Sequence, residues 1–145
     1  MVNTILIAVC KNWSRHDWSL LHFAANAGQF EIFKFIIENV SNKCLKDGNG
    51  QIPLHFAAKN GSLEVCMLLW ENCEEKNVPD NFGWTPLHVA ARHGHLDVYN
   101  FILGNLDEKE PLDNDGQSPI AFAKHSKCLC HNRKFIEKWQ RKIGT

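Results

Sequence analysis

The chain has 145 residues, of which 44% are hydrophobic and 22% charged, and its formal net charge at pH 7 is zero. This composition predicts one folded globular domain and argues against intrinsic disorder. No apolar run approaches the roughly 20 residues of a transmembrane helix. The apolar stretch at residues 4–10 has no basic residue before it and no small-residue cleavage site after it, so we do not interpret it as a secretory signal.

Residues 1–13 carry the apolar side chains Ile5, Leu6 and Val9. They precede a pattern that repeats every 33 residues, in which segments 14–37, 47–70, 80–103 and 113–136 align without a gap. Three columns show the alignment: Leu21, Leu54, Leu87 and Ile120; Gly50, Gly83 and Gly116; His22, His55 and His88. One structural unit used four times is therefore predicted, with residues 1–13 as an N-terminal cap or the remnant of a preceding unit.

Each unit is predicted to be a turn followed by two helices. In the third copy Asp80 and Gly83 indicate the turn, Thr85 is a helix N-cap, and Pro86 suits the first helical position, where its missing N–H costs nothing. Gly94 then ends the helix in the left-handed conformation. The second helix is predicted by apolar residues at helical spacing, namely Leu96, Val98, Phe101 and Ile102.

The second helices of the other copies carry two further predictions. In the first copy the buried face is expected to consist of Phe30, Ile32, Phe35 and Ile36. The second helices end near Asn39, Asn72 and Asn105, and we assign the helix stop to these residues because asparagine tolerates the left-handed conformation.

The last copy differs from the others, since Ala121 replaces the histidine. After it, an apolar stripe lies opposite a basic one, which predicts a capping helix with one face on the stack and one in water. The apolar residues are Phe135, Ile136, Trp139 and Ile143, and the basic ones are Lys134, Lys138, Arg141 and Lys142. Residues 124–145 carry a formal charge of +6 and the preceding residues −6.

A 33-residue unit of a turn and two helices with the sequence TPLHVA at 85–90 resembles the ankyrin repeat. The resemblance implies an all-α repeat solenoid, an ankyrin-type stack of helix-turn-helix units with short β-hairpin-like turns. The predicted boundaries are 1–13 for the cap or remnant, 14–46, 47–79 and 80–112 for repeats 1 to 3, and 113–145 for repeat 4 with its capping helix. Whether the chain is complete or part of a longer array stays open.

The six cysteines, at positions 10, 44, 66, 73, 128 and 130, have no spacing typical of a disulfide framework. We expect them to be reduced, as in a cytoplasmic or nuclear protein.

The sequence does not predict a catalytic or metal-binding site. The resemblance implies that His22, His55 and His88 are structural and connect one repeat to the next. His125, Cys128, Cys130 and His131 form a ligand-type cluster, but on a helix Cys130 would point about 200° away from Cys128, so the four do not converge on a metal. Because phosphate-binding, zinc-protease and nucleophile-elbow motifs are also absent from the sequence, we predict no catalytic residue, metal or cofactor.

The candidate binding surface consists of the positions that vary between copies. On the resemblance they line a concave groove, and they are Arg15, His16, Trp18, Asn49, Gln51, Lys59, Asn60, Asn81, Phe82, Trp84, Arg92, His93, Asn114, Asp115, Gln117, His125 and Ser126. Trp18, Phe82 and Trp84 are large aromatic residues on turns, and aromatic residues with arginine are typical of interface hot spots. The alternative is that the tryptophans pack on neighbouring turns.

The leading prediction is a monomeric protein-protein interaction module or scaffold that binds another protein and has no enzymatic activity. One alternative is the binding of an anionic partner, either a nucleic acid, a membrane surface or an acidic protein, through the basic C-terminal helix. The zero net charge argues against nucleic acid. Another alternative is that Asn77 is a modification substrate, since its loop position resembles the site of asparaginyl hydroxylation in ankyrin families.

Overall fold

A computed structural model describes residues 18–107, 111–125, 133–134, 136–138 and 140–141. Within these ranges seven helices have defined ends, and they are α1 Leu20–Ala27, α2 Phe30–Asn39, α3 Pro53–Asn60, α4 Leu63–Asn72, α5 Pro86–Arg92, α6 Leu96–Gly104 and α7 Pro119–His125. The described residues from 133 to 141 are also helical, and the described part of the chain contains no β-strand. None of the helices in these described ranges could span a membrane.

The helices form two layers. The inner layer consists of α1, α3, α5 and α7, each packed against the next, and the outer layer consists of α2, α4 and α6, each packed against the inner helix that precedes it. Leu21, Leu54, Leu87 and Ile120 are all buried in the inner layer. The predicted all-α repeat stack is therefore confirmed.

The predicted ends of α5, the first helix of the third repeat, are also confirmed. Thr85 is the N-cap of α5 in an extended conformation, with φ −87° and ψ 165°, and Pro86 is the first helical residue. Gly94 follows α5 with φ 73°, a value that residues with a Cβ atom rarely adopt. Short inner helices are thus bounded at both ends by local sequence.

The prediction for the buried face of α2 is wrong for two of its four residues. Ile32 is 53% exposed and Phe35 is 51% exposed, whereas Phe33, Ile36 and Ile37 are buried. The positions equivalent to Ile32 in α4 and α6 are Val65 and Val98, which are both buried. Each of those helices packs against a preceding outer helix, whereas α2 is the first outer helix that the structure describes.

The assignment of a left-handed conformation to the asparagines is wrong. Asn39 and Asn72 are the last helical residues of α2 and α4, the residues after them are extended, and Asn105 has a φ of −104°. Each side-chain amide instead donates a hydrogen bond to the carbonyl four residues earlier, at 2.7, 2.8 and 2.7 Å for Asn39, Asn72 and Asn105. The side chain thus turns back onto the last turns of its own helix, and no left-handed residue is required.

The prediction of reduced cysteines is wrong for two of the six. Cys44, in the loop after α2, forms a disulfide with Cys73, which follows α4, and their Cα atoms are 6.0 Å apart. The two residues come together because the exit loops of adjacent repeats lie side by side, a proximity that spacing within one repeat does not reveal. Cys66 is a free cysteine, and burial raises the pKa of its thiol to about 12. The cytoplasmic or nuclear location stays a prediction, but this pairing removes its basis.

Several predictions fall partly or wholly beyond the described residues. The cap at residues 1–13 and the residues Cys128, Cys130, His131, Phe135, Trp139 and Ile143 lie outside them. Ile136, from the predicted apolar stripe, is partly buried and packs against the core. The residue boundaries of the four repeats stay predictions.

Candidate functional site

The turns that precede the inner helices are held by aspartate side chains. Oδ1 of Asp80 accepts hydrogen bonds from the backbone N–H groups of Phe82 and Trp84, both at 2.9 Å. Asp47 and Asp113 make the same two bonds in their own turns. Because the carboxylate occupies the inside of the turn, the side chain at the tip projects outward, and in the third repeat that side chain is Phe82.

Neighbouring turns are joined by asparagines. The backbone N–H of Asn81 donates to the carbonyl of Asn49 at 2.9 Å, and its side-chain amide donates to the carbonyl of Gly48 at 3.3 Å. Asn114 repeats both contacts one turn further on, to the carbonyls of Phe82 and Asn81. The side chains of Asn81 and Asn114 therefore hold the row of turns together.

The histidine column connects each inner helix to the following turn. Nε2 of His22 lies 2.8 Å from the carbonyl oxygen of Gln51, and His55 and His88 make the same contact at 2.8 and 3.1 Å with Trp84 and Gln117. This confirms the structural role that the resemblance implied.

The contacts of His22 determine the position of its proton. Nδ1 accepts the backbone N–H of Ser19 at 2.9 Å, and the carbonyl of Gln51 can only accept. The ring is therefore neutral and carries its proton on Nε2. Burial lowers the pKa of His22 below its ordinary value, and the hydrogen bond to Gln51 and the charge of Asp47 only partly offset this effect. The pKa values of His55 and His88 are lowered for the same reason.

An aromatic cluster surrounds Trp84 at the third turn. Its ring centroid lies 5.9 Å from that of Phe82 and 4.8 Å from that of Phe122 on α7, in an edge-to-face arrangement. The guanidinium carbon of Arg92 lies 4.8 Å from the centre of the tryptophan ring. Trp84 is half-buried, whereas Phe82 is 60% exposed. The exposed ring of Phe82 thus lies next to a tryptophan that already contacts the guanidinium of Arg92.

Positive charge extends from this cluster along the ends of the inner helices. Lys59 on α3 and Arg92 on α5 are both exposed and occupy equivalent positions in adjacent repeats. The pKa of His93 is lowered, first by burial and then by the charges of Lys59, His95 and Arg92. The two cations therefore act on one small region of the surface.

The chain matches the family described as ankyrin repeats (3 copies) over residues 21–115. It belongs to the ankyrin repeat family. Ankyrin repeats are in general protein-interaction modules and are typically not enzymes. No curated protein matches the chain. In the described part of this ankyrin protein, no group of three or more His, Cys, Asp or Glu residues is placed to hold a metal ion.

Trp18 shares a column with Trp84, and it also packs against phenylalanines of the inner helices. It is half-buried, and its ring packs edge-on against Phe23 at 4.8 Å and Phe56 at 4.5 Å. These partners lie on the inner helices α1 and α3. The ring contacts of both tryptophans therefore include phenylalanines of inner helices, which the alternative of packing on neighbouring turns did not anticipate.

Several other residues of the predicted groove hold the ankyrin stack together. Gln51 donates from Nε2 to Oδ2 of Asp80 at 3.2 Å. The side-chain amide of Asn60 donates to the carbonyls of Ala25 and Asn26 at the end of α1. Asn77, the candidate for modification, accepts the backbone N–H of Leu87 at 3.4 Å.

The remaining predicted site residues divide into two groups. Asn49, Asp115 and Gln117 are on the turns, where Asn49 and Asp115 are exposed at the tips and the carbonyl of Gln117 accepts from His88. Arg15, His16 and Ser126 lie outside the described residues, as does the side chain of His125.

Sequence reasoning missed the phenylalanines that support the tryptophans. Phe23, Phe56 and Phe122 each follow the position of the histidine column directly, and the third repeat has Val89 there. This column could have been found, because the 33-residue alignment contains it. The role of this column could not be found, because the alignment does not show that this side of the inner helix faces the aromatic turn residue of the preceding repeat.

Proposed function

We propose that this ankyrin stack binds a protein partner through the surface made by its turn tips and inner helices, with Phe82 at the centre. The exposure of Phe82 carries the proposal. A phenylalanine ring that is 60% exposed leaves most of its apolar area in water, and burial of that area by a partner would contribute favourably to binding.

The backbone around Phe82 is held in place before any partner arrives. Its N–H donates to Asp80, and its carbonyl accepts from Asn114 at 3.2 Å. Trp84 is packed against Phe122 and Arg92. A rigid surface of this kind loses little conformational entropy on binding, and aromatic residues and arginine are the side chains that most often dominate binding energy.

The test compares two phenylalanines of similar exposure. In the Phe82→Ala variant, we expect binding of the partner to weaken by about tenfold or more, while the melting temperature changes by only a few degrees because the ring is mostly exposed. Phe35→Ala is the matched control, since Phe35 is 51% exposed on the outer helix α2. Proteins captured by the immobilised chain from a cell extract are quantified by mass spectrometry for the three forms. Equal capture by the unmodified chain and Phe82→Ala would contradict the proposal, as would a large loss of stability.

The second candidate function is binding of an anionic partner through the C-terminal helix. Arg133, Lys134, Lys138 and Arg141 are helical and exposed, and Arg133 forms a surface ion pair with Glu137 at 3.2 Å. If these cations dominate the affinity for a nucleic acid or a membrane, it should fall steeply as salt increases from about 50 to 200 mM. An affinity centred on Phe82 should change little over the same range.

A further inference from the structure

Charged residues are distributed unequally between the two layers. The inner helices contain no aspartate or glutamate, and their charged residues are Lys59, Arg92 and Lys124. The outer helices contain one cation, Lys34, and five carboxylates, which are Glu31, Glu38, Glu64, Glu71 and Asp97. The surface that carries the aromatic cluster is therefore basic, and the opposite layer is acidic.

The acidic side chains of the turns differ in exposure, and therefore in how far they offset the positive charge of the inner helices. Asp47, Asp80 and Asp113 are buried, and each uses Oδ1 to accept two backbone N–H groups. Asp115 is the exposed carboxylate of the described turns, and it lies on the last of them. Lys59 and Arg92 occupy equivalent positions near the ends of α3 and α5, and the guanidinium of Arg92 lies against Trp84, beside Phe82. A partner that contacts Phe82 and extends along the inner helices thus meets both cations.

Resting on the proposed function, we propose that the partner contributes an acidic peptide segment, in which an aromatic or aliphatic side chain contacts Phe82 and Trp84 and neighbouring carboxylates contact Lys59 and Arg92. Opposite charge across an interface increases the rate of association and selects the partner. The planar guanidinium of Arg92 matches a carboxylate in geometry.

A protein segment fits this surface better than a nucleic acid. Binding to a phosphate backbone draws its affinity from the neutralisation of many phosphates, commonly about six to ten. The inner helices supply three cations by sequence, and Asp115 would repel a continuous phosphate chain at the last turn. Two carboxylates beside one apolar residue require no more charge than Lys59 and Arg92 provide.

The experiment selects binders from a displayed library of random peptides about twelve residues long, with the full chain as the immobilised target. The enriched peptides are synthesised, and their affinities are measured by fluorescence anisotropy for the unmodified chain and for the Lys59→Glu, Lys34→Glu and Phe82→Ala variants. Lys34→Glu is the matched control, because it makes the same change of net charge on an exposed residue of the outer layer.

We expect the enriched peptides to combine Asp or Glu with an aromatic or aliphatic residue. Lys59→Glu should weaken their binding about tenfold and Lys34→Glu less than about twofold, since only Lys59 lies on the binding surface. Phe82→Ala should also weaken it about tenfold.

Four results would overturn the inference, and they separate it from the proposed function. Neutral or basic peptides that are lost in Phe82→Ala but retained in Lys59→Glu would leave the proposed function intact and refute the acidic partner. Peptides that bind Phe82→Ala as well as the unmodified chain, or no enrichment at all, would count against both. Displacement of the peptides by an equal concentration of an oligothymidylate about twelve nucleotides long would indicate a nucleic acid as the partner class.

Discussion

Each histidine of the column forms hydrogen bonds both to the start of its own helix and to the next repeat. Nδ1 of His55 accepts the backbone N–H of Ile52 at the start of its own helix, and Nε2 donates to the carbonyl of Trp84 in the next repeat. A protonated ring could not accept at Nδ1, so protonation would break the bond to the N-cap residue. Burial adds the cost of removing a charged ring from water, which is the main reason why the pKa of His55 is lowered.

These lowered pKa values predict that the fold loses stability in mild acid. Below about pH 6.5 the histidines of the unfolded chain bind protons while those of the native state stay neutral, so unfolding takes up protons and its free energy decreases as the pH falls. The decrease should reach at most roughly 1.4 kcal/mol per pH unit for each histidine. Urea unfolding at several pH values between about 7.5 and 5.5 measures it.

A variant tests the origin of this pH dependence. Glutamine at position 55 can donate and accept but does not titrate, so His55→Gln should have a smaller pH slope than the unmodified chain, whatever its absolute stability. The interpretation would be refuted if the free energy of unfolding were independent of pH over this range, or if His55→Gln retained the full slope.

At the scale of the structural element, the turns differ in how closely they pack against a neighbouring turn. The third turn depends on a glycine at φ 80° and packs so tightly against the fourth that a Cβ atom on Gly83 would lie 2.5 Å from the backbone nitrogen of Asn114. Gly116, in the fourth turn, has nearly the same φ of 74°, but a Cβ atom there would meet nothing within 4 Å. Gly83 is therefore required both by its own conformation and by the neighbouring turn, and Gly116 only by its conformation.

This difference predicts unequal effects of the same substitution. Gly83→Ala and Gly116→Ala should share the strain of a left-handed alanine, which is about 1 kcal/mol. Gly83→Ala should lose a further 1–3 kcal/mol or so, because the added methyl group must push the two turns apart. The free energies of unfolding from urea titrations give the comparison directly. Equal losses for the two variants would mean that the turns separate without cost.

At the scale of the whole molecule, the two layers of the stack differ in the contacts and the exposed side chains that they carry. The inner helices and their turns carry the hydrogen bonds that join repeats, and they also carry the exposed Phe82, Lys59 and Arg92. The outer layer carries most of the helical carboxylates and the exposed side chains of Ile32 and Phe35 at its first described helix. Cys44 and Cys73 connect the exit loops of the first two repeats on the outer side.

The disulfide should contribute to the stability of the stack. Closing a loop with a sequence separation of 29 restricts the unfolded chain, and the corresponding stabilisation is about 3.5 kcal/mol in the chain-entropy description. Replacing Cys44 and Cys73 together by serine should lower the free energy of unfolding by an amount of that order.

Two controls accompany this measurement. A reductant should lower the melting temperature of the unmodified chain and leave that of the double variant unchanged. Peptide mapping without reduction should recover a fragment that contains both cysteines. Recovery of Cys44 and Cys73 only as free thiols would show that the bond does not form in solution.

The sequence by itself determined the repeated unit, the turn and the ends of the inner helices. Residues such as Gly83, Thr85 and Pro86 act on their own backbone, and such local constraints are visible wherever they recur at a fixed interval. The histidine column and the exposed aromatic tip could be located for the same reason, and the ankyrin resemblance supplied the role of the histidines.

Only the tertiary structure decided the contacts between repeats. It showed that Phe33 rather than Phe35 is buried in α2, that Cys44 pairs with Cys73, and that Trp84 packs between Arg92 and Phe122. These contacts depend on which surfaces of two adjacent units face each other. Spacing within one unit is the same whichever way its neighbour is stacked, and therefore carries no information about that choice.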